Sequence, residues 1–231
     1  VLVVLAAGRT WISPRGGLMA ALLLASSIGF LRHGRLAETD ITLTLFTTAS
    51  ILLVYRALEQ RSLRHWIGAG LCMGLGILAK GPAALALPLL ALGAYLLFVP
   101  SARQGFRPLG LLILLVLAAA LAIPWYAAIH QFAQRAAGSQ VGQELSALVK
   151  TEHRGNPAYY LYTLPIMLLP WGVFLPVALA RMWQQRKRDS RLVFLLGWLG
   201  TSFLLLTLIP SKQAHYAVLL LPPAALVTGW H

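Results

Sequence analysis

Residues 67–99 read IGAGLCMGLGILAKGPAALALPLLALGAYLLFV, 33 consecutive residues with a single charge, Lys80, near the middle. One helix needs only about 20 apolar residues to cross the hydrocarbon of a bilayer, so this stretch is too long for one crossing. Lys80-Gly81-Pro82 divides it, because glycine permits a tight reversal and proline stops a helix. The stretch therefore predicts two antiparallel helices in a membrane, Ile67–Ala79 and Ala83–Val99. Outward from them, apolar runs bracket at Gly17–Leu31, Ile41–Tyr55, Leu109–Ile129, Tyr160–Ala180, Leu192–Ile209 and Ala217–Trp230, with the tail of another at Val1–Ala7. That makes about nine spans, two of them cut. None alternates polar with apolar residues, as a membrane barrel strand must. The expected fold is all-α, a polytopic transmembrane helical bundle forming a single transmembrane domain over residues 1–231. Because the chain opens at Val1 inside one apolar stretch and stops at His231 just after another, it is expected to be incomplete at both ends.

Composition agrees. Of 231 residues, 58% are hydrophobic and 11% charged, against about 25% charged in soluble domains, so a soluble globule is excluded. A net charge of +13 would point to nucleic acid in a soluble chain. Here the cations sit in the gaps between apolar runs, where membrane topology calls for them, and nucleic-acid binding is not implied. The gaps fall into two alternating sets. One holds 12 basic residues, including Arg9, Arg15, Arg56, Arg61, Arg64 and the run Arg181 to Arg191, against Glu59 and Asp189, for a net +10. The other holds 7, against Glu38, Asp40, Glu144 and Glu152, for a net +3. The positive-inside tendency places the first set in the cytoplasm and the second on the opposite face of a multi-pass membrane protein, which is the periplasmic face of the inner membrane if the cell is Gram-negative. Cys72 is the sole cysteine, so neither a disulfide framework nor a cysteine metal site is open to this chain.

The outer gaps carry the side chains suited to chemistry. Arg32-His33-Gly34-Arg35-Leu36-Ala37-Glu38-Thr39-Asp40 gathers cations, an imidazole and two carboxylates just before an apolar run. Asp40 there could accept a proton from a hydroxyl or hold a divalent ion, with Arg35 near to bind phosphate; a plain solvated loop is the competing reading. Lys80 is the costlier residue, an ammonium in a long uncharged stretch, explained either by snorkelling to headgroups or by a phosphate in a cavity. Glu152-His153-Arg154-Gly155-Asn156 and Ser211-Lys212-Gln213-Ala214-His215-Tyr216 add further cations, imidazoles and a phenol. The stretch from Gln131 to Asn156 is long enough for a short amphipathic helix on the membrane surface. Pro124-Trp125-Tyr126, Tyr159, Tyr160, Tyr162 and Pro170-Trp171 read as an interfacial aromatic belt or as platforms for a sugar or an isoprenoid. Gly70 and Gly74 have the GxxxG spacing of closely packed helices.

Four stretches carry a family resemblance: His33 to Asp40, Gly74 to Pro82, Glu152 to Tyr160 followed by Leu169-Pro170-Trp171, and Ser211 to Tyr216 followed by Leu221-Pro222. In this order the sequence resembles the membrane glycosyltransferases of the dolichyl-phosphate-mannose protein mannosyltransferase type, and among them the bacterial aminoarabinose transferases that modify lipid A. The resemblance implies a C-type glycosyltransferase fold that takes sugar from a polyprenyl-phosphate donor rather than a nucleotide sugar. It implies an envelope acceptor, with a lipid A-like glycolipid favoured over protein, and membrane lipids as surroundings. Asp40 looks like the family's second acidic position and, with Glu38 beside it, is the catalytic candidate within this stretch. Arg35, Lys80, His153, Arg154, Lys212 and Tyr216 surround the donor phosphate and lipid entrance. A divalent ion bridging carboxylate and phosphate fits such chemistry, but His153 with Asp40 is too little to assign one. The family's first outward loop, with its principal carboxylate, precedes Val1, so this fragment alone is expected to be inactive. The competing reading is a transporter or flippase of lipid-linked anions, with Lys80 and Arg35 on its path.

Overall fold

A computed structural model describes residues 1–36, 38–136 and 155–230, without the side chains of 133–136. Its elements are α1 (Leu2–Trp11), α2 (Pro14–Ser26), α3 (Ile28–Arg35), α4 (Thr39–Glu59), α5 (Leu63–Lys80), α6 (Ala83–Phe98), α7 (Pro108–Ala136), α8 (Tyr159–Met167), α9 (Leu175–Gln185), α10 (Ser190–Leu208) and α11 (Leu221–Thr228), with 3-10 turns at Pro100–Gly105, Trp171–Phe174 and Ala214–Leu220. Among the described residues there is no strand, so the all-helical expectation holds. The expected amphipathic surface helix falls largely outside the described residues.

The predicted hairpin forms as read. α5 ends at Lys80, Gly81 takes φ +94°, a left-handed conformation that suits glycine, and its amide donates to the Ile77 carbonyl at 2.7 Å. Pro82 then leads directly into α6. The Gly70/Gly74 spacing faces α7, where a Cβ on Gly70 would stand 2.7 Å from the Leu114 carbonyl oxygen and one on Gly74 2.8 Å from Leu121 Cδ1. α4 is the central helix. Its 18-residue apolar window is 61% buried, against 17% for that of α7, which lies at the periphery with Leu112, Val116 and Ile123 exposed. Ser50 on α4 reaches across to the Ala69 carbonyl of α5 at 3.0 Å, satisfying a hydroxyl that hydrocarbon would leave without a partner.

The structure departs from the expected count of spans. Among the described residues three helices, at Thr39–Glu59, Pro108–Phe132 and Ser190–Leu208, are long and apolar enough to cross by themselves, and up to five spans arise if each of two bent pairs is one. Gly17–Leu31 breaks between α2 and α3 with a bend of 57°, and Tyr160–Ala180 breaks after α8 with a bend of 119°. Apolar runs show hydropathy and not direction, so a bend inside one is invisible to them. The two breaks meet each other. The Ile28 amide donates to the Leu169 carbonyl at 3.0 Å, and Trp171 Nε1 donates to Ser26 Oγ at 2.8 Å. Each break thus supplies partners for polar groups that the other frees, the condition on which broken helices persist at membrane depth. Trp171 therefore has a specific partner, beyond membership of an aromatic belt. The outer halves, α3 and α8, are left flanking the start of α4.

Candidate active site

The lengths of α4, α5 and α10 decide what meets. α4 begins where α5 ends, so the first turn of one and the last turn of the other share an end of the bundle, and the turn Ala214–Leu220 packs against both α4 and α10. Asp40 lies in the first turn of α4, where the unpaired amides favour a negative charge. Its side chain is 3% exposed, and Oδ2 is ion-paired with Lys80 Nζ. His215 Nε2 stands 3.9 Å from the same oxygen. Lys80 Nζ also lies 4.9 Å from the centroid of the Tyr216 ring, a cation–π contact. Burial, with Lys80 and His33 adding to it, holds His215 below the usual imidazole range against the pull of Asp40 and Glu38.

The second oxygen, Asp40 Oδ1, is buried and has no hydrogen-bond partner. An ionised carboxylate oxygen kept from water without a donor is costly, so a ligand proton or a cation is its natural complement. Asp40 forms part of the wall of a cavity of about 320 Å³ with Lys80 and Tyr216, and the rest of that wall is apolar, including Leu43, Ala86, Leu205 and Leu219. The cavity thus pairs a polar mouth with an apolar interior, which fits a molecule with an anionic head and a hydrocarbon tail.

Of the sequence-predicted residues, the structure brings Asp40, Lys80 and Tyr216 together. Glu38 is one step removed, its Oε2 2.7 Å from His33 Nδ1, and His33 in turn faces the His215 ring at 6.4 Å. Arg35, exposed in the last turn of α3, is not part of the cavity wall. Lys212 is engaged elsewhere. Its ammonium is buried and donates to the carbonyls of Leu206, Thr207 and Ile209 at 2.9, 2.5 and 2.6 Å, closing the C-terminal end of α10. His153 and Arg154 lie outside the described residues, although Gly155 beside them packs on the Lys212 stem, where a Cβ would stand 2.5 Å from Cγ. His33 and His215, which sequence reasoning does not single out as site residues, stand beside Asp40, His215 directly and His33 through the two facing rings; the signal for them is their place inside two of the ordered motifs. Among the described residues no three His, Cys, Asp or Glu side chains gather as a metal cage requires.

Fold and site together define an integral-membrane helical bundle with an acid–ammonium pair at the mouth of an apolar cavity near one end. The chain belongs to the dolichyl-phosphate-mannose-protein mannosyltransferase family, which its residues 1–127 match. Over 99% of its length it is 32% identical to an undecaprenyl phosphate-alpha-4-amino-4-deoxy-L-arabinose arabinosyl transferase of Pseudomonas aeruginosa strain LESB58, and over 98% it is 27% identical to one from Proteus mirabilis. In both cases the chain spans 42% of the relative's length. Among solved structures, it superposes on ArnT from Cupriavidus metallidurans bound to undecaprenyl phosphate with a TM-score of 0.76 at 19% identity, covering 98% of this chain and 42% of that one.

Proposed function

We propose that the protein of which this chain is a part is an integral-membrane glycosyltransferase that moves a sugar from a polyprenyl-phosphate donor to an envelope acceptor, a lipid A-like glycolipid before a protein, at the periplasmic face of the inner membrane. Family membership supports the reaction class, and the relatives' names supply the donor and sugar type. The observation that carries the site is the Asp40–Lys80 pair, with one carboxylate oxygen unpartnered, in the wall of an apolar cavity.

Displacing a polyprenyl phosphate from an anomeric carbon requires a base for the acceptor hydroxyl and positive charge on the departing phosphate. Asp40 is the base in this reading and Lys80 the phosphate cation. In the present structure each neutralises the other, which lowers the cost of holding either charge in the bilayer. A phosphate entering the cavity competes for the ammonium, and the carboxylate released from Lys80 is then free to take the hydroxyl proton. Tyr216, against Lys80, bounds the ammonium's movement, and the apolar wall receives the first isoprenoid units. Glu38, through His33, positions the imidazole that faces His215. Arg35, His153 and Arg154 remain candidates for the donor's entrance.

The test is transfer from labelled polyprenyl-phosphate sugars to membrane acceptors by the full-length protein, its Asp40→Asn variant and its Lys80→Ala variant. Transfer by the wild type that both substitutions weaken is the expected result. Transfer unaffected by either removes these residues from the site. Flipping of a polyprenyl phosphate in vesicles without covalent transfer would instead establish the transporter reading.

A further inference from the structure

Another cavity, of about 630 Å³, lies at the opposite end from Asp40 and has no part in the proposed reaction. It sits between α6, α10 and the turn that follows α9, and its two ends differ in chemistry. Along α10 the wall is smooth, because Gly197 and Gly200 present no side chains; a Cβ on Gly200 would meet nothing within 4 Å. Phe98, at the end of α6, borders this channel and is itself exposed, so the channel opens towards the bilayer. The other end carries Arg186 and Lys187. Arg186 stacks on Trp183, 3.8 Å from the ring centroid, and gives one hydrogen bond to the Trp183 carbonyl, which leaves the other guanidinium donors without a protein acceptor among the described residues. Lys187 makes no hydrogen bond or ion pair among the described residues. The carboxylate next to them in the chain, Asp189, is turned towards Arg191, accepting from its backbone amide at 2.9 Å.

We propose that this cavity binds an anionic phospholipid from the leaflet at this end of the bundle, with the phosphate on Arg186 and Lys187 and an acyl chain in the glycine-walled channel. The length and polarity of the site match: a cationic head position at the interface, marked by Trp183, continues into a hydrocarbon slot. Charge complementarity selects the class of lipid. The site offers two cations and no free carboxylate, so the ammonium of a zwitterionic headgroup finds no partner there, whereas a headgroup with net negative charge does. The end of the bundle that holds it carries the net +10 of the chain's charge asymmetry, which enriches anionic lipid around it.

The experiment uses the full-length protein in nanodiscs of phosphatidylcholine containing phosphatidylglycerol, with retained lipid counted by native mass spectrometry after extraction. Phosphatidylglycerol is expected to be retained over phosphatidylcholine by about tenfold, and Arg186→Ala and Lys187→Ala each to cut that retention roughly fivefold. Arg15→Ala, at the same end but outside the cavity, is expected to leave it unchanged. Gly200→Leu, whose side chain enters open space, is expected to fold and to abolish retention by filling the channel. Equal retention of the two lipids, an equal loss in Arg15→Ala, or full retention in Gly200→Leu overturns the proposal. So does displacement of the lipid by inorganic phosphate at equal concentration, which would make the site an anion site only. Failure of Gly200→Leu to fold would show the channel already filled by protein and overturn it as well.

Discussion

Where α4 starts and α5 ends, Asp40, Lys80 and His215 converge on one carboxylate oxygen, and Asp40 is almost fully buried. At the opposite end the chain places 12 basic residues against Glu59 and Asp189; ten of the twelve are exposed, and the one ion pair among the described residues there, Arg191 with Asp189, is a loose 3.8 Å. The end with more charge has less electrostatic structure. A hydrated arginine needs no partner, contributes little by pairing, and acts through where it sits relative to the membrane. A carboxylate buried beside hydrocarbon needs a partner at a fixed place, so its geometry carries chemical information. Function is therefore read from the sparse end and topology from the dense one.

The strongest way to break that contrast is to treat the buried pair as scaffold. Asp40→Asn should lower transfer by the full-length protein by about 10²- to 10⁴-fold, the range for losing a general base. It should also cost about 3 kcal/mol of stability, since Lys80 would keep its charge without a counterion. The double variant Asp40→Asn, Lys80→Met removes both charges and should recover most of that stability while transfer stays lost. Recovery of transfer along with stability, measured in one preparation by thermal unfolding and product formation, would make the pair structural.

Lys212 is next, because it lies at the same end and yet serves the fold. Lys212→Met strips the partners from three carbonyls at the end of α10, for a loss of about 2–3 kcal/mol from charge-assisted bonds and stranded acceptors. Its apparent KM for the lipid donor should stay unchanged in the folded fraction. A large rise in KM with an unchanged melting temperature would return Lys212 to the phosphate site that the sequence assigned it.

These two lysines also show how far the sequence could be read. Lys80 stands out because it is the single charge in a stretch of 33 residues, and the cost of a charge there demands a use; the hairpin around it is legible for the same reason, since Gly81-Pro82 admits few other conformations. Lys212 looked equivalent by residue type and by its side of the membrane. What separates them is where the last turn of α10 points its carbonyls, a property of helix ends that hydropathy does not carry. The bends at Ser27 and near Pro170 are hidden for a related reason: each lies inside a run of mostly apolar residues, and each is satisfied by the other across 141 positions of chain, from Ile28 to its partner Leu169. The meeting of His33 with His215 is likewise a product of tertiary packing, although the charge alternation already puts both in the same set of gaps.

A smaller effect tests whether the site end is as dry as its geometry indicates. Burial is the largest cause of the lowered His215 pKa, so the folded protein resists protonating this imidazole while the unfolded chain takes its proton near 6.5. The unfolded state then binds more protons below that value, and stability rises with pH through the window from the depressed folded value up to about 6.5, then levels. Unfolding measured from pH 5 to 8 should show this slope, and His215→Gln should remove its share while the Lys212→Met variant keeps it.

The smallest expected effect on stability comes from the dense end, and its smallness is informative. Arg61→Gln and Arg64→Gln alter exposed residues whose guanidinium groups make no ion pair among the described residues, so each should shift unfolding by no more than about 0.5 kcal/mol, the usual range for surface changes. Their collective action is on insertion, because lysines and arginines in short loops bias which side stays in the cytoplasm. Neutralising Arg56, Arg61 and Arg64 together should therefore leave the melting temperature of correctly inserted protein alone while raising the fraction inserted in the wrong orientation, read by labelling a cysteine placed in the loop at position 60. If the triple variant instead inserts normally but melts several degrees lower, these cations hold tertiary structure, and the two ends of the bundle are less different than their geometry shows.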